Sequence, residues 1–112
     1  MQAIRVEINF QISAVDDVEA VFDSVTQQLH DVESVNSDLS DASSFANASQ
    51  GVFTLALVGI GETVAEASAK AVAGIRTAIH ASGGATPGWD QAVGASAGQA
   101  VFTFLEQSSV PA

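Results

Sequence analysis

The chain has 112 residues, 47% hydrophobic and 14% charged, with 13 acidic side chains against 3 basic ones and a net charge of −10. That length and composition describe a single folded domain spanning residues 1–112 and exclude a disordered chain. The missing basic footprint excludes nucleic acid and anionic membranes as partners, and the absence of cysteine excludes a disulfide framework, a thiolate nucleophile and a cysteine-type zinc site.

The opening stretch, MQAIRVEINF, alternates polar and apolar residues and lacks the basic region and apolar run of a signal peptide. No stretch approaches the ~18 apolar residues of a membrane span, so the expected location is cytoplasmic. From Ile4 to Ser13 the alternation is strict: Ile4, Val6, Ile8, Phe10 and Ile12 fall on one side and Arg5, Glu7, Asn9, Gln11 and Ser13 on the other. This predicts a strand with one buried and one wet face.

A first helix is predicted over about 16–31. Asp16 with Glu19 reads as a capping box, and Val18, Val21, Phe22, Val25, Leu29 and Val32 recur at helical spacing. Residues 34–50 are rich in Ser, Asp and Asn, with Leu39 and Phe45 as isolated apolar points, and read as a weak edge strand within a loop. Asn47-Ala48-Ser49 matches the glycosylation triplet by chance in a chain without a secretion signal. The run GVFTLALVGI, 51–60, is apolar on both faces and predicts a central strand.

A second helix follows, with Thr63 and Glu66 as capping box, a thin stripe of Val64, Ala67, Ala71, Ile75 and Ile79, and Gly83-Gly84 as its stop. Gly74 inside it implies close contact with a neighbour, since glycine there costs about 1 kcal/mol against alanine. A long connection over 83–99 leads to a last strand at 100–107, and the tail 108–112 is expected to fray. The order strand-helix-strand-strand-helix-strand predicts an α+β, ferredoxin-like βαββαβ fold: a four-stranded antiparallel sheet with two helices on one face.

Few motifs carry chemistry. Gly94-Ala95-Ser96-Ala97-Gly98 fits the nucleophile-elbow pattern, but a strand follows it where a helix is needed, and His30 and His80 both lie upstream. Gly59-Ile60-Gly61 sits where a phosphate loop would, but the third glycine position holds Val64 and no Lys-Ser/Thr pair follows, so a tight turn is the simpler reading. His30, Asp31, Glu33, Asp38 and Asp41 match no metal-binding spacing. No catalytic, cofactor or metal residue is assigned.

Interaction residues are the better candidates. Eight of the acids lie between residues 16 and 41, and Asp16, Asp17, Glu19 and Asp23 crowd the start of the first helix. A dense acidic face can occupy a basic surface on another protein, although a solvated helix gives the same pattern. The helix-free sheet face is the second candidate: Val52, Ala56 and Val58 would leave it partly apolar, as at an oligomer surface, unless residues 85–99 fold back over it. Trp89 is the third. Pro87-Gly88 aims it, either back onto the second helix and the sheet or outward as a partner anchor.

Residues 75–89, IRTAIHASGGATPGW, resemble a stretch in small uncharacterised proteins of actinobacteria and their phages, in which a similar order of strands and helices precedes this His-x-x-Gly-Gly-x-Thr-Pro-Gly-Trp turn. The resemblance implies a ferredoxin-like fold and a phage or host-linked origin, and transfers no functional residue. The reading is a small acidic non-enzymatic interaction module, self-associating as a dimer, with a basic-surfaced protein as the possible partner. The alternatives are a small-molecule-binding regulatory domain with its ligand at a subunit interface, and an inhibitor mimicking nucleic acid.

Overall fold

The computed structural model describes residues 1–13, 17–47, 49–83 and 101–112. The elements are β1 (Gln2–Ser13), α1 (Val18–Val35), β2 (Leu39–Asn47), β3 (Val52–Gly61), α2 (Val64–Ala81) and β4 (Val101–Pro111). The architecture is mixed α+β, with two helices against an antiparallel sheet. The described residues supply strands to it in the order β2-β3-β1-β4.

Alternation in β1 sets the two sides. Ile4, Val6, Ile8, Phe10 and Ile12 are all buried. Val6, Ile8 and Phe10 stand across from Leu57, Leu55 and Phe53 of β3. Both helices lie on this side. The Thr26 and Ser44 hydroxyls, 2.8 Å apart, join α1 to the β2 residue paired with Leu55, while Gly74 of α2 lies over Leu57. The α2 stripe of Ala67, Ala71, Gly74, Ile75, Ala78 and Ile79 is buried throughout. Small side chains bring the helix down onto the sheet. The close contact expected at Gly74 is present, with a Cβ there falling 2.6 Å from Leu57 Cδ2. A tighter one occurs at Gly59, where a Cβ would run into the Ala67 carbonyl and lie 2.9 Å from Ala71 N.

Besides β1, which starts two residues early at Gln2, three boundaries differ from the sequence reading. Asp17, rather than Asp16, caps α1: its Oδ1 accepts from Ala20 N at 3.0 Å, so the helix begins at Val18. Asp16 lies outside the described residues. At the other end α1 continues to Val35, past the predicted stop. Its last turn is held by polar side chains: Ser34 Oγ donates to Asp31 O at 2.8 Å and Asn36 Nδ2 to Val32 O at 2.8 Å. Finally, residues 108–111 do not fray but continue β4. The N-terminal half of β1 has a free side there, and Ile4 pairs with Pro111 and Arg5 with Val110, while Ala112 N donates to Ala3 O at 2.8 Å. Beyond α2, Ser82 caps the helix and Gly83 takes a positive φ of 90°.

The candidate groove between α1 and β2

The first turn and a half of α1 carries two stripes at four-residue spacing: Val18 and Phe22 turn toward the sheet, Glu19 and Asp23 toward solvent. Across from them runs the end of β2, where Ser44 and Ala46 share the helix-side face with their β3 partners Leu55 and Phe53. Between helix and strand lies a groove of about 410 Å³ lined by Val18, Glu19, Phe22, Asp23, Ser44, Phe45, Ala46 and Phe53.

Its floor is aromatic. Phe22 meets Phe53 edge-to-face with ring centroids 5.0 Å apart, and Phe53 meets Phe102, which in turn meets Phe10. A fully buried Phe53 fixes the floor, and Phe22 forms the half-buried wall. One turn further along α1, the Thr26–Ser44 pair ties helix to strand. Phe45, 63% exposed, pairs with Thr54 and so belongs to the helix-free face of β2, reaching the groove from between Ser44 and Ala46.

The rim is acidic. Glu19 and Asp23 are exposed and Asp17 stands at the cap. A helix N-terminus carries roughly half a positive charge, so three carboxylates outweigh it and leave the rim net negative. Among the described residues no basic side chain lines the groove. Its lining combines apolar area with carboxylates, and the Ser44 hydroxyl is bonded to Thr26. The groove's chemistry is complementary to a group with positive charge at one end and apolar surface along its length.

The remaining candidates land elsewhere. Val52, Ala56 and Val58 lie on the helix-free side of β3, opposite Gln11, Glu7 and Arg5. Ala56 is 2% and Val58 3% exposed and Val52 is half-buried, so these three residues present little accessible apolar surface; residues 85–99, expected as a possible cover, lie outside the described residues. Long side chains of β1 flank these small residues, with Arg5 Nη1 bonded to Glu7 Oε2 at 2.8 Å. Polar bonds cross the same face: Thr54 Oγ1 donates to Asn9 Oδ1 at 2.6 Å, and Asn9 Nδ2 donates to Glu106 Oε1 at 2.7 Å. Trp89 and Gly94–Gly98 lie outside the described residues.

Gly59 and Gly61 are spent on contact with α2, the packing use of glycine. Among the described residues no three His, Cys, Asp or Glu side chains converge as a metal site. His30 lies 3.8 Å from Glu33 as an i,i+3 neighbour. A shallower recess of about 240 Å³ lies between the turn before β2 and α2, lined by Asn36, Asp38, Leu39, Lys70 and Ala73. Lys70 there donates to Asp38 Oδ2 at 2.9 Å and reaches Glu66 Oε1 at 3.2 Å. Those two carboxylates, Asp38 foremost, hold its pKa above the ordinary 10.5. It is an ion-paired strut. No helix among the described residues is long and apolar enough to cross a membrane.

Phe22, Ser44, Phe45, Ala46 and Phe53 are groove residues that the sequence does not single out as functional. The available signal was the coincidence of two i,i+4 pairs, Val18/Phe22 and Glu19/Asp23. No family model matches the chain, and no curated protein or solved structure matches it either.

Proposed function

We propose that this chain is a non-enzymatic interaction module that holds a basic, partly apolar element of another protein in the α1/β2 groove. The observation that carries this reading is the pairing of the Phe22–Phe53 floor with the Glu19 and Asp23 rim. An aliphatic stem ending in a cation buries the stem and leaves its charge beside carboxylates. The chain's net charge of −10 draws such partners in and repels acidic ones. The element order and the strand order β2-β3-β1-β4 support a ferredoxin-like, four-stranded plan, in which the groove lies at one edge of the helix layer.

The test is a peptide titration followed by NMR on the isotope-labelled chain. N-acetyl-Arg-Phe-Arg-amide is expected to shift Val18, Phe22, Asp23 and Ser44–Ala46. Binding should weaken by about tenfold between roughly 50 and 500 mM NaCl, and by a similar factor in the Glu19→Gln, Asp23→Asn double variant. Equal binding of the uncharged N-acetyl-Gln-Phe-Gln-amide, or shifts confined to another face, overturns the reading.

A further inference from the structure

Among the described residues the two outer strands of the sheet, β2 and β4, are built differently. At β2 the ladder slips between Ser40 and Ser43, with Asp41 at a positive φ of 52°. The Ala42 amide is taken by Glu33 Oε2 of α1 at 2.9 Å. A bulge, a charge and a helix side chain across the backbone are the devices that stop a second strand from adding to an edge.

β4 has little of this. The helices pack over β2, β3 and β1. Thr103 and every residue from Leu105 to Pro111 are exposed, Leu105 and Val110 each at 53%. The Ala112 N–H bond to Ala3 sets the parity of the ladder. Alternate residues, Val110, Ser108 and Glu106, turn their backbone groups to β1, and Gln107 and Ser109 turn theirs outward. Pro111, with no N–H to offer, falls on the outward side, where a sheet edge tolerates proline. Among the described residues no strand pairs with this side.

Charge selects what can pair there. The strand Val101–Pro111 holds one acid, Glu106, and no base, on a chain of net charge −10. A basic partner is drawn to the acid-rich start of α1. Two copies of an anionic chain approach most easily where each is least charged, and β4 is that strip. A strand that is uncharged apart from one carboxylate, itself bonded to Asn9, matches another like itself. We propose that β4 pairs antiparallel with β4 of a second copy about a two-fold axis near Ser108, making one continuous sheet through both. Gln107 then exchanges backbone bonds with Ser109 of the second copy, and Glu106 stands across from Val110 of the second copy, so the two acids avoid each other. This dimer is independent of the groove: the two surfaces are different edges of the sheet. The strip is short, which places the contact in the small, reversible class of interfaces, with a dissociation constant on the order of tens of micromolar.

Sedimentation velocity from about 5 to 500 µM, at about 0.15 and 0.5 M NaCl, reads the equilibrium. The wild-type chain is expected to pass from monomer to dimer across that range, several-fold more tightly at the higher salt, because screening removes repulsion between copies. Ser109→Pro removes an outward N–H and is expected to stay monomeric while keeping its amide fingerprint. Side-chain variants leave the backbone intact: Val110→Glu faces Glu106 of the second copy and should weaken the dimer, whereas Val110→Lys should tighten it, each by a few-fold. A wild-type chain that is monomeric at the top concentration in high salt overturns the proposal. So does a Ser109→Pro chain that dimerises like wild type, or equal effects of Val110→Glu and Val110→Lys. A dimer abolished only by Glu19→Lys with Asp23→Lys would place self-association at the groove and also overturn it.

Discussion

Two glycines show how one missing Cβ has different weight by what faces it. At Gly59 the obstacle is backbone: the Ala67 carbonyl and the Ala71 amide nitrogen of α2. Neither can move without lifting the helix from the sheet. At Gly74 the nearest atoms are Leu57 Cδ2 at 2.6 Å and Leu39 Cδ1 at 3.0 Å, the ends of side chains with rotamer freedom. Gly59→Ala is therefore expected to cost about 3 kcal/mol or more, at the upper end of overpacking. Gly74→Ala gains up to about 1 kcal/mol of helix propensity against its crowding and should stay within about 1 kcal/mol of wild type. Urea unfolding of both variants measures the contrast, and a Gly74→Ala loss as large as that of Gly59→Ala would show that the leucines cannot yield. Sequence reading found Gly74 because a glycine inside a helix stands out. It read Gly59 as turn geometry, since a strand residue gives no local sign that a helix backbone lies over it.

Among the elements, α2 is tied to the turn before β2 by Lys70, which bridges Asp38 and its own Glu66. The two carboxylates raise the Lys70 pKa above its ordinary 10.5, so the folded state holds the proton more tightly than the unfolded chain. The stabilisation is fully present below about pH 10.5 and fades as pH rises through the elevated folded-state value. Lys70→Met is expected to be slightly less stable than wild type at pH 7, with the difference closing in the alkaline limit. Denaturation midpoints at both pH values check the sign, and a difference that grows with pH would contradict it. The elements themselves were largely legible. The alternation in β1 and the heptad-like stripes of both helices are strong periodic signals. The ends were not. Asp16 and Asp17 are equally good caps by type, and only the bond to Ala20 distinguishes them. Residues 108–112 look like a tail because Ser-Ser-Val-Pro-Ala has no apolar pattern, yet β1 supplies the partner that makes 108–111 a strand. The acidic half of the groove was legible in the crowding of Asp17, Glu19 and Asp23. Its aromatic half was not, because Phe53 comes from a strand distant in sequence.

At the scale of the molecule, β1 is the strand that both halves share: β3 pairs along one side and β4 along the other. The second of these joins Ile4 to Pro111 and Ser13 to Val101, nearly the longest loop closure the chain can make. Non-local pairing of this kind delays folding, since chain entropy is lost before the contact repays it. Refolding is expected to take roughly milliseconds to seconds, slower than for a helical chain of this length. During synthesis the delay is longer. At roughly 5–20 residues per second, β1 leaves the ribosome several seconds before β4 can reach it. Through that interval its Ile-Val-Ile-Phe-Ile face depends on the helices for cover, and Phe10 lacks its edge-to-face partner Phe102 of β4. A chain truncated after residue 100 is therefore expected to bind an apolar dye and to aggregate more than the chain that includes β4, so the pairing of β4 closes a vulnerability that stays open while β1 waits for it.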